Sequence, residues 1–328
     1  MRGNTRAWQS KGSAGANRAA AEKRSGEEAV NAQAVPVFPS LVIFAAGASS
    51  RMKRSWGEET GSPPSFSSKA MINLGPARRP FLDYVLFNAR RAGIRDVVLV
   101  VGEEAGDVRA VYGRRDRGNH YHGLELSYVV QPIPKGRQKP LGTADAALRA
   151  IDSRPHWAGD CVLVCNGDNL YSASAFRALA SSPYAGAWAD YDFSALGYPP
   201  ERVSRFGVTV KDAQGCLVRI IEKPSPDDIA RLEAAGAKPA VSMNLWKLPL
   251  PLAREYLERC PFSPDRGERE LPTAISMMVK DHPCSMRAVP AAEHVPDLTS
   301  REDIPAVEAF LAREFGEVLW EDEKRSTP

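Results

Sequence analysis

The chain has 328 residues, of which 43% are hydrophobic and 25% charged, a composition typical of a soluble globular protein with one large core or two smaller ones. Its formal net charge of +3 is too small to indicate nucleic-acid binding, and no apolar run approaches the roughly 20 residues of a membrane-spanning helix. The five cysteines form no CxxC pair and no Cys/His cluster, so we predict a reducing, cytoplasmic setting.

The two ends of the chain differ from its middle. Residues 1–38 are rich in Ala, Gly, Ser, Arg and Glu and carry few large apolar side chains. We predict a disordered extension there, because such a composition buries too little apolar surface to offset chain entropy. The segment lacks the apolar core of a signal peptide, and its glutamates disfavour a transit peptide. Residues 316–328 are predicted to be a flexible tail.

The first half of the chain alternates apolar runs with helical patterns. Residues 41–46 predict a first central strand, and the small-residue loop 47–52 follows it. Residues 53–68 are polar and contain two glycines and two prolines, which indicates a flexible flap. Periodicity then predicts a helix over 81–91, strands over 97–101 and 126–130, a helix over 143–151, a strand from 161 to 168 and a helix over 173–179. Strands separated by helices predict an α/β fold with a doubly wound, mostly parallel, Rossmann-like sheet.

The pattern changes after about residue 185, where strands follow one another more closely. Residues 207–210 and 216–221 flank a turn-rich segment and predict a hairpin. Ser225 and Pro226 begin a helix, and residues 241–248 alternate weakly as another strand. Ser300 and Asp303 form a box-like cap for a last helix over 304–315. This part of the chain predicts a smaller, β-rich subdomain.

Two acidic residues are candidate ligands of a cation. Asp168 ends the apolar run that starts at Cys161, which places its carboxylate at the carboxyl edge of the predicted sheet. Open α/β sheets bind ligands at that edge, and hard cations bound by carboxylates usually accompany phosphates. Asp297 lies just ahead of the last helix and is a candidate second ligand. The alternative for Asp297 is an ordinary helix-entry residue.

Three positively charged residues are candidates for binding phosphate. The backbone N–H groups of the loop 47–52 can cradle phosphate oxygens, and Arg51 can add a bidentate contact. An ordinary strand-to-helix turn is the alternative. Lys69 can bring a positive charge onto a phosphate from the end of the flap, or it is simply a solvated lysine. Glu222 and Lys223 can hold sugar hydroxyls and a phosphate, or they form a surface ion pair.

One further pair of residues can contact a nucleobase. Gln131 closes a predicted strand, and its amide can pair with the edge of a base. Gly142 opens the following helix and lets a flat ring approach the backbone closely. The alternative is a polar strand end followed by a helix cap.

The order of these elements resembles that of the sugar-1-phosphate nucleotidylyltransferases, which include glucose-1-phosphate uridylyl- and thymidylyltransferases. The resemblance covers about residues 40–315 and rests on the whole ordered set: residues 47–52, Lys69, Gln131, Leu141-Gly142-Thr143-Ala144, Gly167-Asp168, Phe206-Gly207-Val208, Glu222-Lys223-Pro224, Gly267-Glu268-Arg269-Glu270-Leu271 and Asp297. No hexapeptide repeat of the kind that builds a β-helix occurs, which disfavours a bifunctional acyltransferase fusion.

The resemblance implies a domain over residues 39–315, with a nucleotide half at about 39–185, a sugar-phosphate half at about 186–298 and a helix at 300–315. It implies catalytic roles for Arg51, Lys69 and Asp168, and Mg²⁺ bound by Asp168 and Asp297. The implied nucleotide contacts are Ala46, Gly47, Ser49, Ser50, Gln131, Gly142 and Thr143. The implied sugar-phosphate contacts are Gly207, Glu222, Lys223 and Asn244. The partners would be a nucleoside triphosphate and a sugar-1-phosphate, with no nucleic acid and no membrane, and a homo-oligomer stays open.

The implied reaction is an in-line attack of a sugar-1-phosphate oxygen on the α-phosphorus, catalysed by positioning and charge stabilisation. Ser49 and Ser50 replace the Gly and Thr of the family's usual loop, which leaves a cytidylyltransferase for a non-sugar phosphate as one alternative. A catalytically silent paralogue that binds a sugar nucleotide is another. Because Arg51 and Lys69 are far apart in sequence, Lys53 or Arg54 is an alternative for the role of Lys69.

Overall fold

The computed structural model describes residues 39–47, 52, 66–157, 161–203 and 205–320, and an eleven-stranded sheet runs through this part of the chain. The predicted disorder of residues 1–38, the loop residues 48–51, most of the predicted flap and residues 321–328 lie outside it. No helix within the described residues is both long enough and apolar enough to cross a membrane.

The elements of the described residues alternate along the chain as an α/β protein requires. The strands are β1 (Leu41–Phe44), β2 (Asn73–Leu74), β3 (Arg79–Pro80), β4 (Asp96–Val101), β5 (Asn119–Tyr121), β6 (Leu124–Val130), β7 (Cys161–Asn166), β8 (Ala187–Tyr191), β9 (Gly207–Lys211), β10 (Leu217–Glu222), β11 (Ala240–Val241), β12 (Trp246–Pro249) and β13 (Arg287–Ala291). The helices are α1 (Phe81–Ala92), α2 (Gly106–Tyr112), α3 (Thr143–Asp152), α4 (Ala173–Ala180), α5 (Phe193–Leu196), α6 (Pro200–Val203), α7 (Pro226–Ala234), α8 (Leu250–Arg259), α9 (Leu271–Asp281) and α10 (Ile304–Glu314).

The centre of the sheet is parallel. Strand β1 pairs in parallel with β4 on one side and β7 on the other, and β4 pairs in parallel with β6. The side chains of β1, β4 and β7 are buried almost without interruption because helices and loops cover both faces, as their continuous apolar sequences predict. The predicted α/β class with a mostly parallel central sheet is confirmed.

The β-rich segment after residue 185 extends this same sheet. Strand β12 pairs antiparallel with β7, and β8, β11, β9 and β10 continue the order outward, while β13 pairs in parallel with β8. The predicted hairpin is confirmed as β9 and β10, in which Gly207 pairs with Glu222. These strands, which we call the antiparallel wing, therefore belong to the same sheet as β7.

One predicted strand is wrong. Residues 241–248 do not form a single strand, because β11 ends at Val241 and β12 begins only at Trp246. Between them Met243 and Asn244 both have left-handed backbones, with φ of +44° and +56°. The Tyr171 hydroxyl donates to the Met243 carbonyl at 2.7 Å and fixes this turn from a distant part of the chain. Weak alternation could not reveal a turn that depends on such a contact.

The predicted flexible tail is also wrong for residues 316–320. Leu319 and Trp320 are buried, and the chain after α10 returns across α1. The ring of Trp320 meets that of Phe87 at 5.2 Å between centroids and stacks on His122 at 4.4 Å. Phe315 contacts Tyr84 edge-to-face at 5.0 Å. Large aromatic rings near a chain end bury enough area to dock it.

A disulfide joins Cys216, at the start of β10, to Cys284, ahead of β13. The two residues are 68 positions apart, and no spacing motif predicts their pairing. The Arg287 guanidinium lies 3.1 Å from both sulfurs. The cytoplasmic location derived from the cysteine pattern stays a prediction.

We predict that Trp320→Ala lowers the free energy of unfolding by about 3–5 kcal/mol, because it removes a large buried ring from a packed aromatic cluster. Urea denaturation followed by circular dichroism measures this loss. Val318→Ala is the matched control, since Val318 is 43% exposed two residues away. Equal stability of the two variants would contradict the docking of the C-terminal segment.

Candidate functional site

A polar cavity of about 690 Å³ opens at the carboxyl edge of the parallel strands and extends over the antiparallel wing. Its walls are lined at the parallel end by Phe44, Thr143, Asn166, Asp168, Asn169, Asp297 and Asp303, and at the antiparallel end by Gly207, Glu222, Lys223, Asn244, Arg266, Glu268 and Glu270. Arg202, Arg205 and Thr299 also line it. The cavity thus brings five of the residues predicted from the sequence as ligand contacts into one space, together with the two predicted metal ligands.

Asp168 leaves the end of β7 and meets Lys69. The Lys69 Nζ lies 2.5 Å from the Asp168 Oδ2, and Lys69 is held by a short 3₁₀ turn whose first N–H groups are capped by Ser68. Gly167 lets the chain pass close to β1, since a Cβ there would lie 3.0 Å from the Phe44 carbonyl oxygen. Burial lowers the pKa of Lys69, but the neighbouring Asp168, with Asp297 and Asp303, outweighs it and raises the pKa. Lys69 therefore stays cationic.

Asp297 is brought to Asp168 by backbone pairing. The Leu298 N–H donates to the Asp168 carbonyl at 2.8 Å, and Asn169 and Asp297 form an isolated antiparallel bridge. The Asp297 carboxylate accepts hydrogen bonds from the Asn169 amide at 3.1 Å and from the Thr299 hydroxyl at 2.7 Å. Burial raises the pKa of Asp297, and the negative charge of Asp168 raises it further. The two carboxylates are therefore close enough to feel each other's charge.

Arg202 pairs with two acidic residues in this part of the cavity. Its Nη2 lies 2.8 Å from the Asp297 Oδ2 and 3.1 Å from the Asp297 carbonyl oxygen, and its Nη1 donates to Asp303. The guanidinium stacks over the Tyr198 ring at 4.7 Å. The Tyr198 hydroxyl accepts from the Asp297 N–H at 3.0 Å, so the same pair fixes both the side chain and the backbone of Asp297.

This pair of carboxylates has the donor chemistry of a hard-cation site. Among the described residues no group of three or more His, Cys, Asp or Glu side chains could hold a metal alone. Mg²⁺ commonly binds through one or two carboxylates and completes its shell with waters and substrate phosphates. Asp168 and Asp297, facing one cavity and carrying mutually repelling charges, fit that pattern.

The antiparallel end of the cavity holds the predicted sugar-phosphate contacts. Gly207 and Glu222 face each other across β9 and β10, and a Cβ on Gly207 would lie 2.7 Å from the Glu222 Oε1. Burial within the cavity walls raises the pKa of Glu222, and the Glu270 carboxylate adds to the rise. Lys223 follows in a left-handed conformation with φ of +49°. Asn244 reaches the same space from the left-handed turn after β11.

The turn that opens α3 is held by the segment before α9. The Arg269 N–H donates to the Leu141 carbonyl at 2.6 Å, and the Ala144 N–H donates to the Arg269 carbonyl at 2.9 Å. Gly142 has a φ of +108°, and a Cβ there would lie 2.5 Å from the Arg269 carbonyl oxygen. The Thr143 hydroxyl accepts from the Leu271 N–H at 2.9 Å and lines the cavity.

Gln131 lies beneath this turn. It is only 4% exposed, and its Nε2 donates to the Gly142 carbonyl at 2.8 Å and to the Asp145 carboxylate at 2.9 Å. Gln131 is not among the residues that line the cavity. Its amide supports the turn, and its predicted contact with a base stays a prediction.

The loop after β1 is described only at its start. Ala46 and Gly47 continue from β1 at the carboxyl edge of the sheet, where Gly47 is exposed. Ser49, Ser50 and Arg51 lie outside the described residues, as do Lys53 and Arg54, the alternatives to Lys69. The predicted roles of these residues stay predictions.

Several cavity residues were missed from the sequence. Arg202, Arg205, Thr299 and Asp303 line the parallel end, and Arg266 pairs with Glu270 at 2.5 Å at the other. The predicted capping box of Ser300 and Asp303 is present, but it caps a 3₁₀ turn at Arg301–Asp303 that leads into α10 rather than α10 itself. The pairing of Asp303 with Arg202 crosses 101 positions and leaves no local pattern. A spacing signal exists only for Arg266 and Glu270, which are four residues apart.

The mostly parallel α/β sheet carries paired acidic residues and a lysine at its carboxyl edge, where open sheets of this class bind their ligands. The model of the family described as nucleotidyl transferase matches residues 65–281. The chain therefore belongs to the nucleotidyl transferase family, and the resemblance found in the sequence is confirmed.

Individual relatives agree with this assignment. The bifunctional protein GlmU of Staphylococcus haemolyticus is 25% identical over 246 residues, which cover 74% of this chain and 46% of that protein. The chain thus spans about half the length of the curated relatives it matches. UTP-bound UGPase from Acinetobacter baumannii superposes with a TM-score of 0.62 at 19% identity, covering 88% of this chain and 98% of that one. A putative glucose-1-phosphate thymidylyltransferase from Bacillus anthracis gives a TM-score of 0.61 at 19% identity, covering 84% and 96%. These two structural likenesses show the fold.

We predict that Gly142→Ala lowers the free energy of unfolding by about 3 kcal/mol, because it adds a steric conflict with the Arg269 backbone to the penalty for a positive φ. Thermal and urea unfolding measure the change. Gly236→Ala is the control for the φ penalty alone, since Gly236 has a φ of +79° and no atom within 4 Å of an added Cβ. Its expected loss is about 1 kcal/mol. Equal losses would show that Arg269 does not confine the turn.

Proposed function

We propose that the protein joins a nucleoside triphosphate to a sugar-1-phosphate and releases pyrophosphate. The observation that carries this proposal is a single cavity with two chemically different ends. One end holds Lys69, Asp168 and Asp297, which suit a triphosphate and its cation, and the other holds Glu222 and Lys223, which suit a phosphorylated sugar. The similarity to GlmU, UGPase and a putative glucose-1-phosphate thymidylyltransferase supports this pair of substrates.

The reaction needs no covalent bond to the protein. An oxygen of the sugar-1-phosphate forms a bond to the α-phosphorus, and the bond from that phosphorus to the oxygen bridging to the β-phosphate breaks. The electron pair leaves with pyrophosphate, and no proton has to be transferred. The contribution of the chain is to hold the two anionic substrates in line and to stabilise negative charge as it develops.

The residues of the cavity have distinct roles in this scheme. Lys69 remains cationic and stabilises charge on the α-phosphate, together with Arg51 as the sequence predicts. Lys223 and the exposed Arg266 attract the sugar phosphate from the other end. The carboxylate of Glu222 and the amide of Asn244 can accept hydrogen bonds from sugar hydroxyls. The turn at Gly142 and Thr143, together with Ala46 and Gly47, would face the nucleotide.

Mg²⁺ would be held by Asp168 and Asp297. When bound, it would neutralise phosphate charge and help orient the triphosphate. The comparisons favour neither the cytidylyltransferase nor the silent paralogue. A cytoplasmic location stays part of the proposal.

A screen of purified protein with Mg²⁺ tests the substrate assignment. Each of the common nucleoside triphosphates is combined with a panel of sugar-1-phosphates and sugar-alcohol phosphates, and pyrophosphate release is measured. We expect turnover that requires both a triphosphate and a sugar-1-phosphate. Turnover with sugar-alcohol phosphates alone would favour the cytidylyltransferase alternative. Absence of any turnover, with the protein folded, would overturn the proposed function.

We predict that Asp168→Asn lowers kcat by about 10²–10³-fold, because it removes one of the two carboxylates that would hold Mg²⁺ beside the phosphates. Pyrophosphate release under saturating substrates measures kcat, and circular dichroism confirms the fold. Asp152→Asn serves as the control, since Asp152 is about half exposed and pairs with Arg254 on the outer surface. A kcat within threefold of wild type for Asp168→Asn would exclude the assigned role.

A further inference from the structure

Each of the two proposed cation ligands is paired with a positive side chain of the protein itself. Lys69 Nζ lies 2.5 Å from Asp168, and Arg202 Nη2 lies 2.8 Å from Asp297. Asp303 is the third carboxylate of the group. Two cations therefore face three carboxylates. Without them, three negative charges in a space largely removed from solvent would repel one another strongly.

Arg202 has an anchor that does not depend on either proposed cation ligand. Its Nη1 donates to Asp303, whose other oxygen accepts from the Ser300 N–H at 2.6 Å within the capping box. The Tyr198 ring supports the face of the guanidinium at 4.7 Å. If a cation took the Asp297 Oδ2, Arg202 would keep its bond to Asp303 and its place over Tyr198. The contact with the Asp297 Oδ2 is thus the replaceable one, whereas the bond from Nη2 to the Asp297 carbonyl oxygen at 3.1 Å can stay.

Several separate contacts orient Asp297, and a bound cation would not displace all of them. Asn169 and Thr299 donate to its Oδ1 at 3.1 Å and 3.0 Å. The Tyr198 hydroxyl accepts from its backbone N–H. The Arg202 contact brings a full positive charge to the Oδ2 of Asp297.

We propose that Arg202 is the resident counter-ion of Asp297, a positioning residue that holds this carboxylate while the cation site is empty and releases it when a divalent cation binds. The proposal rests on the proposed function for the cation site alone. It assigns Arg202 no contact with the reacting atoms. In this proposal the Arg202 guanidinium and the divalent cation compete for the Asp297 carboxylate, and this competition lowers the affinity for the divalent cation.

Arg202 should therefore stabilise the protein in the absence of a divalent cation and weaken the binding of that cation. Removal of the guanidinium leaves Asp297 and Asp303, each 6% exposed, without their ion pair to Arg202. The cation-free protein should then lose stability, since removing one partner of a buried pair is strongly destabilising. A divalent cation should restore more stability to such a variant than it adds to wild type, because binding to the native state alone stabilises it.

The experiment measures Mg²⁺ and Mn²⁺ binding to the full chain by calorimetry and by the shift of the melting temperature, with no substrate present. Arg202→Met removes the charge and keeps most of the volume, whereas Arg202→Lys keeps the charge. We expect Arg202→Met to melt lower without cation, to bind Mg²⁺ about tenfold more tightly and to gain more from it than wild type. Arg202→Lys should stay close to wild type in affinity.

Two further variants sharpen the test. Arg254→Met is the matched control, because Arg254 also bridges two carboxylates, Asp152 and Glu258, on the exposed surface. It should leave the Mg²⁺ affinity unchanged. Asp303→Asn should weaken Mg²⁺ binding several-fold, because it frees Arg202 to pair with Asp297 alone. This variant gives a shift of opposite sign and serves also if Arg202→Met does not fold.

The outcomes separate the two proposals. Equal Mg²⁺ affinity in wild type, Arg202→Met and Asp303→Asn would overturn the role of Arg202 while leaving the cation site in place. Binding that is weaker in Arg202→Met would overturn it as well, because that result shows a residue that helps to hold the cation. Absence of cation binding by wild type, or binding that Asp297→Asn does not alter, would overturn the role of Arg202, while the pyrophosphate-release screen decides the proposed function separately.

Discussion

The repulsion between Asp168 and Asp297 is the constraint on which the site depends. Two carboxylates that raise one another's free energy persist together only where positive charge compensates them, and the protein supplies Lys69 and Arg202 for this purpose. In the proposed function, a divalent cation and phosphates would take the place of these counter-ions. The rest of the fold therefore holds the two carboxylates near each other, although their mutual repulsion is unfavourable.

Backbone hydrogen bonds hold Asp168 and Asp297 near each other. Strand β7 is fixed between β1 and β12, so that Asp168 leaves the sheet at a defined point. The Leu298 N–H and the Leu170 N–H then tie the loop of Asp297 to the residues around Asp168 at 2.8 Å and 2.9 Å. These bonds use only main-chain atoms, so a ligand that binds the carboxylate oxygens does not compete for them.

The sequence predicts the parts of this arrangement that depend on local pattern. Continuous apolar runs identified the parallel strands, and a strand ending in Gly-Asp identified Asp168, because burial on both faces and exit at an edge leave a signature in neighbouring residues. Arg202 could not be found in this way, since its partners lie 95 and 101 positions away. The turn at Met243 and Asn244 depends on the distant Tyr171 hydroxyl, and the docking of Trp320 depends on aromatic rings of α1 and on His122. Contacts between remote segments decide these features.

The segment 266–271 links the two ends of the cavity. Its backbone at Arg269 bonds to the turn of Gly142, while the Arg269 guanidinium donates to the Cys260 carbonyl at 2.7 Å beyond the end of α8. Glu268 and Glu270, on either side of Arg269, line the cavity. A backbone change at Glu270 must therefore act on a segment that also positions the turn beside Thr143. The backbone of Arg269 packs so closely against Gly142 that a Cβ on Gly142 would lie 2.5 Å from the Arg269 carbonyl oxygen. A shift of the segment 266–271 at one end of the cavity therefore also shifts the turn at the other end.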